Sequence, residues 1–397
     1  MRILTITGLF PNSSNPLLGT FMLDRVKAIA MAGHEVRVIA PVRYVPPGPL
    51  PQRYRSLRFV PHRERIDGLD VEHPRFLAIP RAGRTHDQAY ARGIRRTLRR
   101  MVLHWKPDIL DVNYLFPDAC GVSRVARDLS LPFVCTARGS DVKWYGRREV
   151  FRARIRRALE EAAEVHAVSA DLAREMGDSG LYCGDIHVIR NGVDTSVFHP
   201  IRRSAARRYL GLPLNRRIAV CVGHLVKEHR QELLVRALDH PDAPEDLLLV
   251  LVGSGVSHRA LARSVSQRGL ADRVLLVGPV KHDEVPWWLG AADMSLLLSE
   301  REGCPNIVLE SAACGIPCLL TNLPEMREML DLGIRGRLVD PDEGAIAHAM
   351  GAVLRGACDR LTLDRSVRTW DHVAQDLIRR FQVVLGHPAR MTQPVIT

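Results

Sequence analysis

Residues 2–40 read RILTITGLFPNSSNPLLGTFMLDRVKAIAMAGHEVRVIA and contain a complete structural unit. Residues 2–7 form an apolar run, and a loop rich in Pro, Asn, Ser and Gly follows as far as Gly19. Apolar residues between 22 and 30 then recur at helical spacing, and 36–40 is a second apolar run. A strand, a helix and a strand, with both strands continuously apolar, predict a parallel βαβ unit.

The same alternation continues along the chain in two successive series. The first series adds short apolar runs at 109–112, 133–136, 164–169 and 186–189. The second series has runs at 218–222, 247–252, 274–277, 294–298 and 317–320, with predicted helices at 229–238, 258–267, 283–289 and 307–314. Because 197–213 interrupts this rhythm, the sequence predicts an α/β fold with two Rossmann-like parallel-sheet domains.

The composition excludes several classes of protein. Of the 397 residues, 46% are hydrophobic and 25% are charged, which excludes collagen-like, disordered and coiled-coil chains. No stretch approaches the ~20 consecutive apolar residues of a membrane span. The first apolar run is too short for a signal peptide, so we expect a cytoplasmic protein that begins at Met1.

The net charge of +12 is concentrated in the first half of the chain. Residues 1–200 carry 31 Lys and Arg against 21 Asp and Glu, whereas the remainder carries 25 against 23. This asymmetry favours an anionic partner for the first half: a membrane surface, a phosphorylated substrate or nucleic acid. Since no basic motif interleaved with aromatic residues is present, we expect no nucleic-acid partner.

The eight cysteines show neither a disulfide nor a metal-binding pattern. They are scattered and form no CxxC pair, so a disulfide framework is not expected. Cys314 and Cys318 are spaced to share a helix face, but no matching Cys or His pair stands nearby. We therefore expect buried, reduced thiols and no metal site.

Two glycine-containing loops follow predicted strands, which is where parallel sheets bind their ligands. The segment PLLGTF at 16–21 places Gly19 before a helix, so that an anion can approach the helix N-terminus closely. The alternative is a tight turn with Thr20 as N-cap. The segment LVGSG at 251–255 is a similar turn, which either borders a ligand or serves the turn alone.

The segment EGCPNIVLE at 302–310 carries the strongest chemical signal. Glu302 lies in a predicted loop, and Glu310 is expected about two turns into the helix that follows. Gly303 permits close approach, the proline suits a helix start, and the next backbone N–H groups would point at an anion. A phosphate-bearing ligand with hydroxyl groups fits this pattern. The alternative is a solvated Glu302 and a structural Glu310.

This segment resembles the E-x7-E motif of the retaining glycosyltransferases of family four, which have the two-domain GT-B fold. RNGVD at 190–194 is similar to the family's interdomain segment, and VGHLV at 222–226 is similar to the first strand and loop of its C-terminal domain. Trp370 lies in a stretch that resembles the family's terminal helix. The resemblance covers nearly the whole chain, in order.

The resemblance implies a domain organisation. It implies an N-terminal acceptor domain at 1–196 and a nucleotide-sugar-binding domain at 197–372, which face each other across a cleft. It further implies, at 373–397, a terminal helix that returns to the N-terminal domain, followed by a loose tail.

The resemblance also implies a role for each matching residue. Glu302 would contact the donor sugar, and Glu310 the ribose hydroxyls. Gly19 would lie near the donor diphosphate, and the other donor-binding positions would be Gly223, Gly253, Ser254, Gly303, Asn306 and Ile307. Members of the family bind nucleotide-sugars without a catalytic metal, so no metal and no cofactor are expected.

Two positions depart from the family pattern. Relatives carry Arg after the glycine of the 222–226 loop and Lys five positions later, where this chain has His224 and His229. In relatives both cations contact the diphosphate of the donor, whereas histidine is mostly neutral at pH 7 unless a nearby anion raises its pKa. Lys227 and Arg230 are alternative sources of charge, although an α-helical turn would aim them differently.

Arg138 is a third departure. It begins the segment RGSD at 138–141, where relatives often carry histidine. An arginine stays charged and does not act as a base, so we expect Arg138 to bind phosphate or the acceptor during catalysis.

The segment 92–105 has one apolar face, which ends at Trp105, and one arginine face. The arginines are Arg92, Arg95, Arg96, Arg99 and Arg100. Such a helix either lies against anionic lipid or a lipid diphosphate, or packs on the core with its arginines in solvent.

Together with these observations, the resemblance implies a retaining, metal-independent glycosyltransferase in cell-envelope or extracellular polysaccharide synthesis. It would move a sugar from a nucleotide-diphosphate donor to a glycan or lipid-linked acceptor, in the cytoplasm at the inner face of the membrane. One alternative, prompted by His224 and His229, is a degenerate member that binds a ligand or partner without turnover. Another is a nucleotide-sugar epimerase of related architecture.

Overall fold

The computed structural model describes residues 1–48, 52–78, 83–356 and 367–386. The chain divides into two compact units: Met1–Asn191 together with the helix from Trp370, and Gly192–Thr369. The first division falls inside the RNGVD segment, slightly ahead of the predicted position between residues 196 and 197. The tail predicted at the end of 373–397 falls on residues from 387 onward, which lie outside the described residues.

Parallel strands form the core of each unit. The strands of the first unit are β1 (Arg2–Ile6), β2 (Glu35–Ile39), β3 (Val42–Arg43), β4 (Arg63–Ile66), β5 (Leu69–Glu72), β6 (Arg75–Phe76), β7 (Ile109–Asn113), β8 (Phe133–Ala137), β9 (Glu164–Ala167) and β10 (Ile186–Val188). Those of the second are β11 (Arg217–Val222), β12 (Leu247–Val252), β13 (Val274–Gly278), β14 (Met294–Leu297), β15 (Cys318–Thr321) and β16 (Gly336–Val339). The continuously apolar runs seen in the sequence supply most of them.

The helices follow in chain order. They are α1 (Thr20–Met31), α2 (Gln52–Arg55), α3 (His86–His104), α4 (Cys120–Leu129), α5 (Glu149–Glu161), α6 (Ala170–Asp178), α7 (Arg203–Tyr209), α8 (Gln231–Leu238), α9 (His258–Gln267), α10 (Val285–Ala291), α11 (Asn306–Ala313), α12 (Pro324–Asp331), α13 (Glu343–Arg355) and α14 (Trp370–Val384). Helices α1 to α6 and α14 belong to the first unit, and the rest to the second. Among the described residues no helix is both long and apolar enough to cross a lipid bilayer.

The first unit is an eight-stranded sheet in the order β10-β9-β8-β7-β1-β2-β5-β4. Only the β4–β5 pair is antiparallel, and β3 and β6 form a separate parallel pair. The connection through α1 leads toward one edge of the sheet, and the connections through α4 and α5 lead toward the other edge. Because connections between parallel strands are right-handed, α1 covers one face of the sheet and α4 and α5 cover the opposite face. Helix α14 packs with α1 through a shared apolar cluster that includes Ile3, Ile29, Trp370 and Phe381.

Helix α3 contains the arginine-rich segment found in the sequence. Its apolar face, including Tyr90, Ile94 and Leu98, is fully buried. Arg96 and Arg99 point away from the core and are exposed. The segment is therefore a core-packed helix with arginines at the surface, and its contact with anionic lipid stays a prediction.

The second unit is a six-stranded, wholly parallel sheet in the order β13-β12-β11-β14-β15-β16. Its core is a cluster of aliphatic side chains from these strands and from α8, α9 and α13. The predicted strand at 247–252 and the predicted helix at 258–267 coincide with β12 and α9. In a sheet of this kind the carboxyl ends of all strands open onto one edge, which sets where the candidate site lies.

Two local predictions in this unit were wrong. The helix expected from residue 229 begins only at Gln231, because Lys227–His229 forms a single 3-10 turn and Arg230 has a left-handed backbone conformation with φ 52°. Glu310 lies one turn into its helix instead of two, because α11 begins at Asn306, only four residues before it.

Candidate active site

The loop after β11 is organised around one backbone carbonyl. The oxygen of His224 accepts hydrogen bonds from His229 Nδ1 at 2.8 Å and from Gln231 Nε2 at 2.9 Å. The carbonyl therefore ties the 3-10 turn back to Gly223 and His224. Lys227 is the first residue of this turn and Arg230 follows it, so neither lies within an α-helix and their direction is not the one that an α-helical turn would give.

Burial favours the neutral form of the His229 ring. Burial lowers the pKa of His229 below its ordinary value, and the hydrogen bond to the His224 carbonyl and the charge of Glu228 only partly oppose that shift. Because a carbonyl can only accept, Nδ1 carries the proton and Nε2 has a lone pair. A contact from Nε2 to a phosphate therefore requires that this nitrogen take up a proton.

The loops after β11 and β12 pack backbone against backbone. A Cβ on Gly253 would lie 2.0 Å from the carbonyl oxygen of Gly223, and one on Gly255 would lie 2.1 Å from that of Leu225. In addition, the Leu225 N–H donates to the carbonyl of Ser254 at 2.9 Å. The glycines of the LVGSG segment are therefore needed for the close packing of these two loops, independently of any ligand.

The loop that carries Glu302 is held by a buried carboxylate. The backbone N–H of Glu302 donates to Glu325 Oε1 at 2.7 Å, and Glu325, in α12, is 1% exposed. Gly303 follows in the loop, and Pro305 is the N-cap of α11 without any side-chain cap bond. The helix N-terminus at Asn306 and Ile307, with its positive dipole end, is therefore presented beside this loop.

Glu310 pairs with a histidine that the sequence analysis did not single out. His282 Nε2 lies 3.0 Å from Glu310 Oε1, and the His282 ring packs on Phe198 with centroids 5.1 Å apart. His282 follows β13, so it comes from another loop at the same sheet edge. No motif marks it; only its position after a strand could have drawn attention to it. The same holds for Glu325, which follows β15.

Hydrogen bonds join these loops into one continuous edge. The N–H of Glu300 donates to the Glu228 carbonyl at 2.8 Å, and Arg230 Nε lies 3.5 Å from Glu300 Oε1. The loop after β14 therefore touches the loop after β11, which itself touches the loop after β12. The structure thus brings together the predicted positions of the second unit: Gly223, His224, Lys227, His229, Gly253, Ser254, Glu302, Gly303, Asn306, Ile307 and Glu310.

The two predicted residues of the first unit also lie near each other. Gly19 is itself the N-cap of α1, with φ 63°, so Thr20 is the first helical residue and not the cap. A Cβ at Gly19 would lie 2.3 Å from the Leu9 carbonyl oxygen, which explains the glycine without a ligand. Two residues on, the ring of Phe21 lies 5.5 Å from the Arg138 guanidinium.

Arg138 is held by asparagine side chains from two segments, one at the end of β7 and one after β10. Its guanidinium donates to Asn191 Oδ1 at 2.8 Å and to Asn113 Oδ1. Asn113 ends β7 and Asn191 follows β10, so these amides fix a charged group at the carboxyl edge of the first sheet. The side chain is half-buried.

Two buried carboxyl groups fix the loops around Arg138. Burial raises the pKa of Asp118 to about 8, and its Oδ2 accepts the N–H of Gly8 at 2.6 Å. Burial also raises the pKa of Asp141, and hydrogen bonds from backbone N–H groups oppose that rise. The donors are Leu115, Arg138, Gly139 and Val142. These bonds set the backbone path from which Arg138 projects.

Neither a disulfide nor a metal-binding cluster is seen in the part of the chain that the structure describes. Cys120, Cys135, Cys221, Cys304, Cys314 and Cys318 are buried and form no disulfide, and Cys183 is exposed. Cys358 lies outside the described residues. Within 1–48, 52–78, 83–356 and 367–386, no group of three His, Cys, Asp or Glu side chains is placed to hold a metal ion. Metal independence stays a prediction.

Family models match both units. The model for group 1 glycosyl transferases matches residues 202–368, and the model for glycosyltransferase family 4 matches residues 18–197. TuaC of Bacillus subtilis (strain 168), a glycosyltransferase named for teichuronic acid biosynthesis, is 30% identical over 333 residues, which are 81% of each chain. The chain belongs to glycosyltransferase family 4. The predicted family is thereby confirmed.

Solved structures confirm the GT-B fold of this glycosyltransferase. The match with sucrose-phosphate synthase from Thermosynechococcus elongatus covers 97% of this chain and 99% of the synthase chain, with a TM-score of 0.77 and 19% identity. Anabaena HepE in complex with UDP matches 96% of the chain and 100% of its own, with a TM-score of 0.69 and 17% identity. At these identities the likeness shows the fold alone.

Proposed function

We propose that this glycosyltransferase moves a sugar from a nucleotide-diphosphate donor to a glycan or lipid-linked acceptor, with retention and without a catalytic metal. The observation that carries the proposal is the continuous edge of the second unit. There, two carboxylates, basic side chains and a helix N-terminus meet on loops joined by hydrogen bonds. Hydroxyl acceptors beside an anion site match the two halves of a nucleotide-sugar.

Each group at this edge has a task in the proposal. Glu310 accepts hydrogen bonds from ribose hydroxyls, with His282 orienting its carboxylate, and Glu302 contacts the donor sugar. The N-terminus of α11 faces the diphosphate. Gly253 and Ser254 border the nucleotide, because they form the adjoining loop.

The reaction places charge on the departing diphosphate. The bond between the anomeric carbon and the phosphate oxygen breaks, and its electron pair stays with the diphosphate. The acceptor hydroxyl oxygen then bonds to that carbon, and its proton passes to the departing phosphate oxygen. Protonated His224 and His229, together with Lys227, would stabilise the leaving group by charge-assisted hydrogen bonds. Arg138, which is permanently charged, would serve the phosphate or the acceptor in the first unit.

The name of the Bacillus relative supports a role in cell-envelope or extracellular polysaccharide synthesis. UDP, the ligand named for the Anabaena neighbour, is the first donor nucleotide to test. The excess of basic residues in the first half supports an anionic membrane surface as a partner and a cytoplasmic location at the inner face of the membrane.

A panel of UDP-sugars and other nucleotide-sugars, screened first by thermal shift and then for transfer to glycan and lipid-linked acceptors, tests the proposal. Retention predicts a product with the anomeric configuration of the donor, as read by NMR, and metal independence predicts full activity in EDTA. Transfer with inversion, or loss of transfer in EDTA, would contradict these two points.

A second candidate is a binding protein without turnover. The partly buried His229 in place of a lysine favours it, because burial lowers the pKa of its ring and the diphosphate lacks one permanent cation. In the same screen this candidate predicts binding without transfer or hydrolysis across the panel. Release of free, epimerised sugar without an acceptor would instead indicate an epimerase.

A further inference from the structure

A groove of about 630 Å³ lies between α3, α4 and α5 on the outer helical face of the first unit. Six arginines line it, two from each helix: Arg92, Arg95, Arg124, Arg127, Arg154 and Arg157. None of these residues belongs to the candidate active site. The groove is therefore a separate, strongly basic feature of this unit.

The guanidinium groups are held in place by shared carboxylates. Asp87, which is fully buried at the base of the groove, pairs with Arg154 Nη1 at 3.0 Å and with Arg124 Nη2 at 3.2 Å. Likewise, Glu161 pairs with both Arg127 and Arg157. Two carboxylates thus position four arginines from two different helices.

The positive charge of the groove exceeds its negative charge. Arg95 pairs with Asp128 at 3.2 Å, so six arginines face three carboxylates. Arg92 is exposed and forms no ion pair with any residue in the described ranges. Each guanidinium has five N–H donors, and the contacts above use only part of them. The groove therefore offers several oriented donors and about three uncompensated positive charges.

We propose that this groove binds a phosphate-bearing ligand, either a soluble phosphate compound or a phospholipid headgroup. Guanidinium pairs match phosphate oxygens bidentately, and a groove walled on three sides by arginines suits an anion with more than one charged oxygen. The preformed ion pairs reduce the cost of ordering the arginines when the ligand binds. The proposal does not depend on the transferase reaction.

A matched control is available on α3, the helix that carries Arg92. Arg92→Gln with Arg157→Gln removes two exposed charges that line it, whereas Arg96→Gln with Arg99→Gln removes two exposed charges of α3 outside it. All four side chains lie at the surface, and Glu161 keeps Arg127 as a partner in the first variant. Equal unfolding midpoints of the two variants and the wild type establish that the fold is kept.

Titration of the full chain with inorganic pyrophosphate, followed calorimetrically, tests the site. The Arg92→Gln/Arg157→Gln variant should bind at least roughly tenfold more weakly than the wild type, because each lost charge-assisted hydrogen bond contributes on the order of a tenfold change. The Arg96→Gln/Arg99→Gln variant should bind like the wild type. Equal binding by the two variants would overturn the proposal.

Pyrophosphate also has a proposed site in the second unit, so a third variant separates the two. His224→Ala with Lys227→Ala should abolish pyrophosphate binding at the second-unit site alone and leave pyrophosphate binding in the groove unchanged. If this variant shows no remaining pyrophosphate binding, the groove proposal fails while the proposed transferase function stands.

Vesicles distinguish the two sources of the ligand. Phosphatidylcholine vesicles with phosphatidylglycerol should displace pyrophosphate from the groove if the natural ligand is a lipid headgroup, whereas pure phosphatidylcholine vesicles should not. Retention of pyrophosphate in the presence of both kinds of vesicle supports a soluble phosphate compound at the same site.

Discussion

At the scale of single residues, Glu302 and Glu310 have separable effects. We expect Glu302→Ala to lower kcat about ten- to a hundredfold with the fold intact, since a hydrogen bond to a charged carboxylate contributes roughly 1.5–3 kcal/mol. Glu310→Ala should instead raise the Kd of the nucleotide by a similar factor. Glu245→Ala, which removes an exposed carboxylate of the same unit away from the site, is the control. Near-wild-type kinetics and binding in both variants would remove this site.

His282 should act through Glu310. Because its ring bonds to that carboxylate at 3.0 Å, His282→Ala should weaken nucleotide binding by up to about tenfold. The double variant His282→Ala/Glu310→Ala should bind no more weakly than Glu310→Ala alone, since the two residues share one interaction. Additive losses, measured by titration calorimetry, would show that His282 contacts the nucleotide independently.

The two histidines at the Arg and Lys positions predict a pH dependence. Burial lowers the pKa of His229 in the free protein, so donor binding near pH 7 must be accompanied by proton uptake if His229 is to meet the diphosphate as a cation. Affinity and activity should therefore fall as the pH rises through the histidine pKa of the donor complex. Calorimetry in buffers of different ionisation enthalpy measures the uptake directly.

Restoring the family pair provides the matched test. His224→Arg with His229→Lys should abolish the proton uptake and flatten the alkaline limb, because both new groups stay charged throughout. If Lys227, Arg230 or Arg138 already supplies the charge, the wild type shows no uptake and the double variant behaves like it.

At the scale of elements, the loops after β11 and β12 depend on glycine. We expect Gly253→Ala and Gly255→Ala each to lower the free energy of unfolding by about 2–5 kcal/mol, because the new methyl group meets a carbonyl oxygen near 2 Å. Gly177→Ala in α6, where nothing lies within 4 Å, should be neutral or stabilising by about 0.5–1 kcal/mol. Urea unfolding measures all three, and unchanged midpoints for the two loop variants would contradict the packing argument.

Most strands that the sequence analysis recovered are buried on both faces, as β7, β8, β12 and β14 are, whereas β10 and β13 at the ends of their sheets are only partly buried. Continuous apolar runs such as 247–252 predict those strands because a parallel sheet covered by helices has no polar face. The hairpin of β4 and β5 was missed because RERI and LDVE are short and rich in charge. The start of α8 was misplaced because nothing in the sequence marks the left-handed conformation of Arg230.

The sequence likewise predicts only part of the candidate site. Residues within a local motif, such as Glu302 and Glu310, are visible because their spacing reflects one loop and one helix. His282 and Glu325 are distant in sequence and reach the site only through the strand order of the sheet. Partners of that kind require the tertiary structure.

At the scale of the whole molecule, the stability of the first unit depends on its last helix. Phe381 of α14 is fully buried in the cluster with Ile3 and Ile29, so Phe381→Ala should cost about 3–5 kcal/mol. Val383 on the same helix is 50% exposed, and Val383→Ala should change the free energy of unfolding by less than about 1 kcal/mol. Equal unfolding midpoints for the two variants would show that α14 does not stabilise the unit.

The docking of α14 on α1 also has a consequence for biosynthesis. The ribosome makes residues 1–191 first, but the helix that completes their core emerges only after the whole of 192–369 has been translated. The unit that is begun first is therefore finished last, and its nascent form exposes the surface of Ile3, Ile29 and Ile109 while the other unit is being made. A circular permutant that starts at Trp370 would reverse this order and let the first unit close before the second is translated.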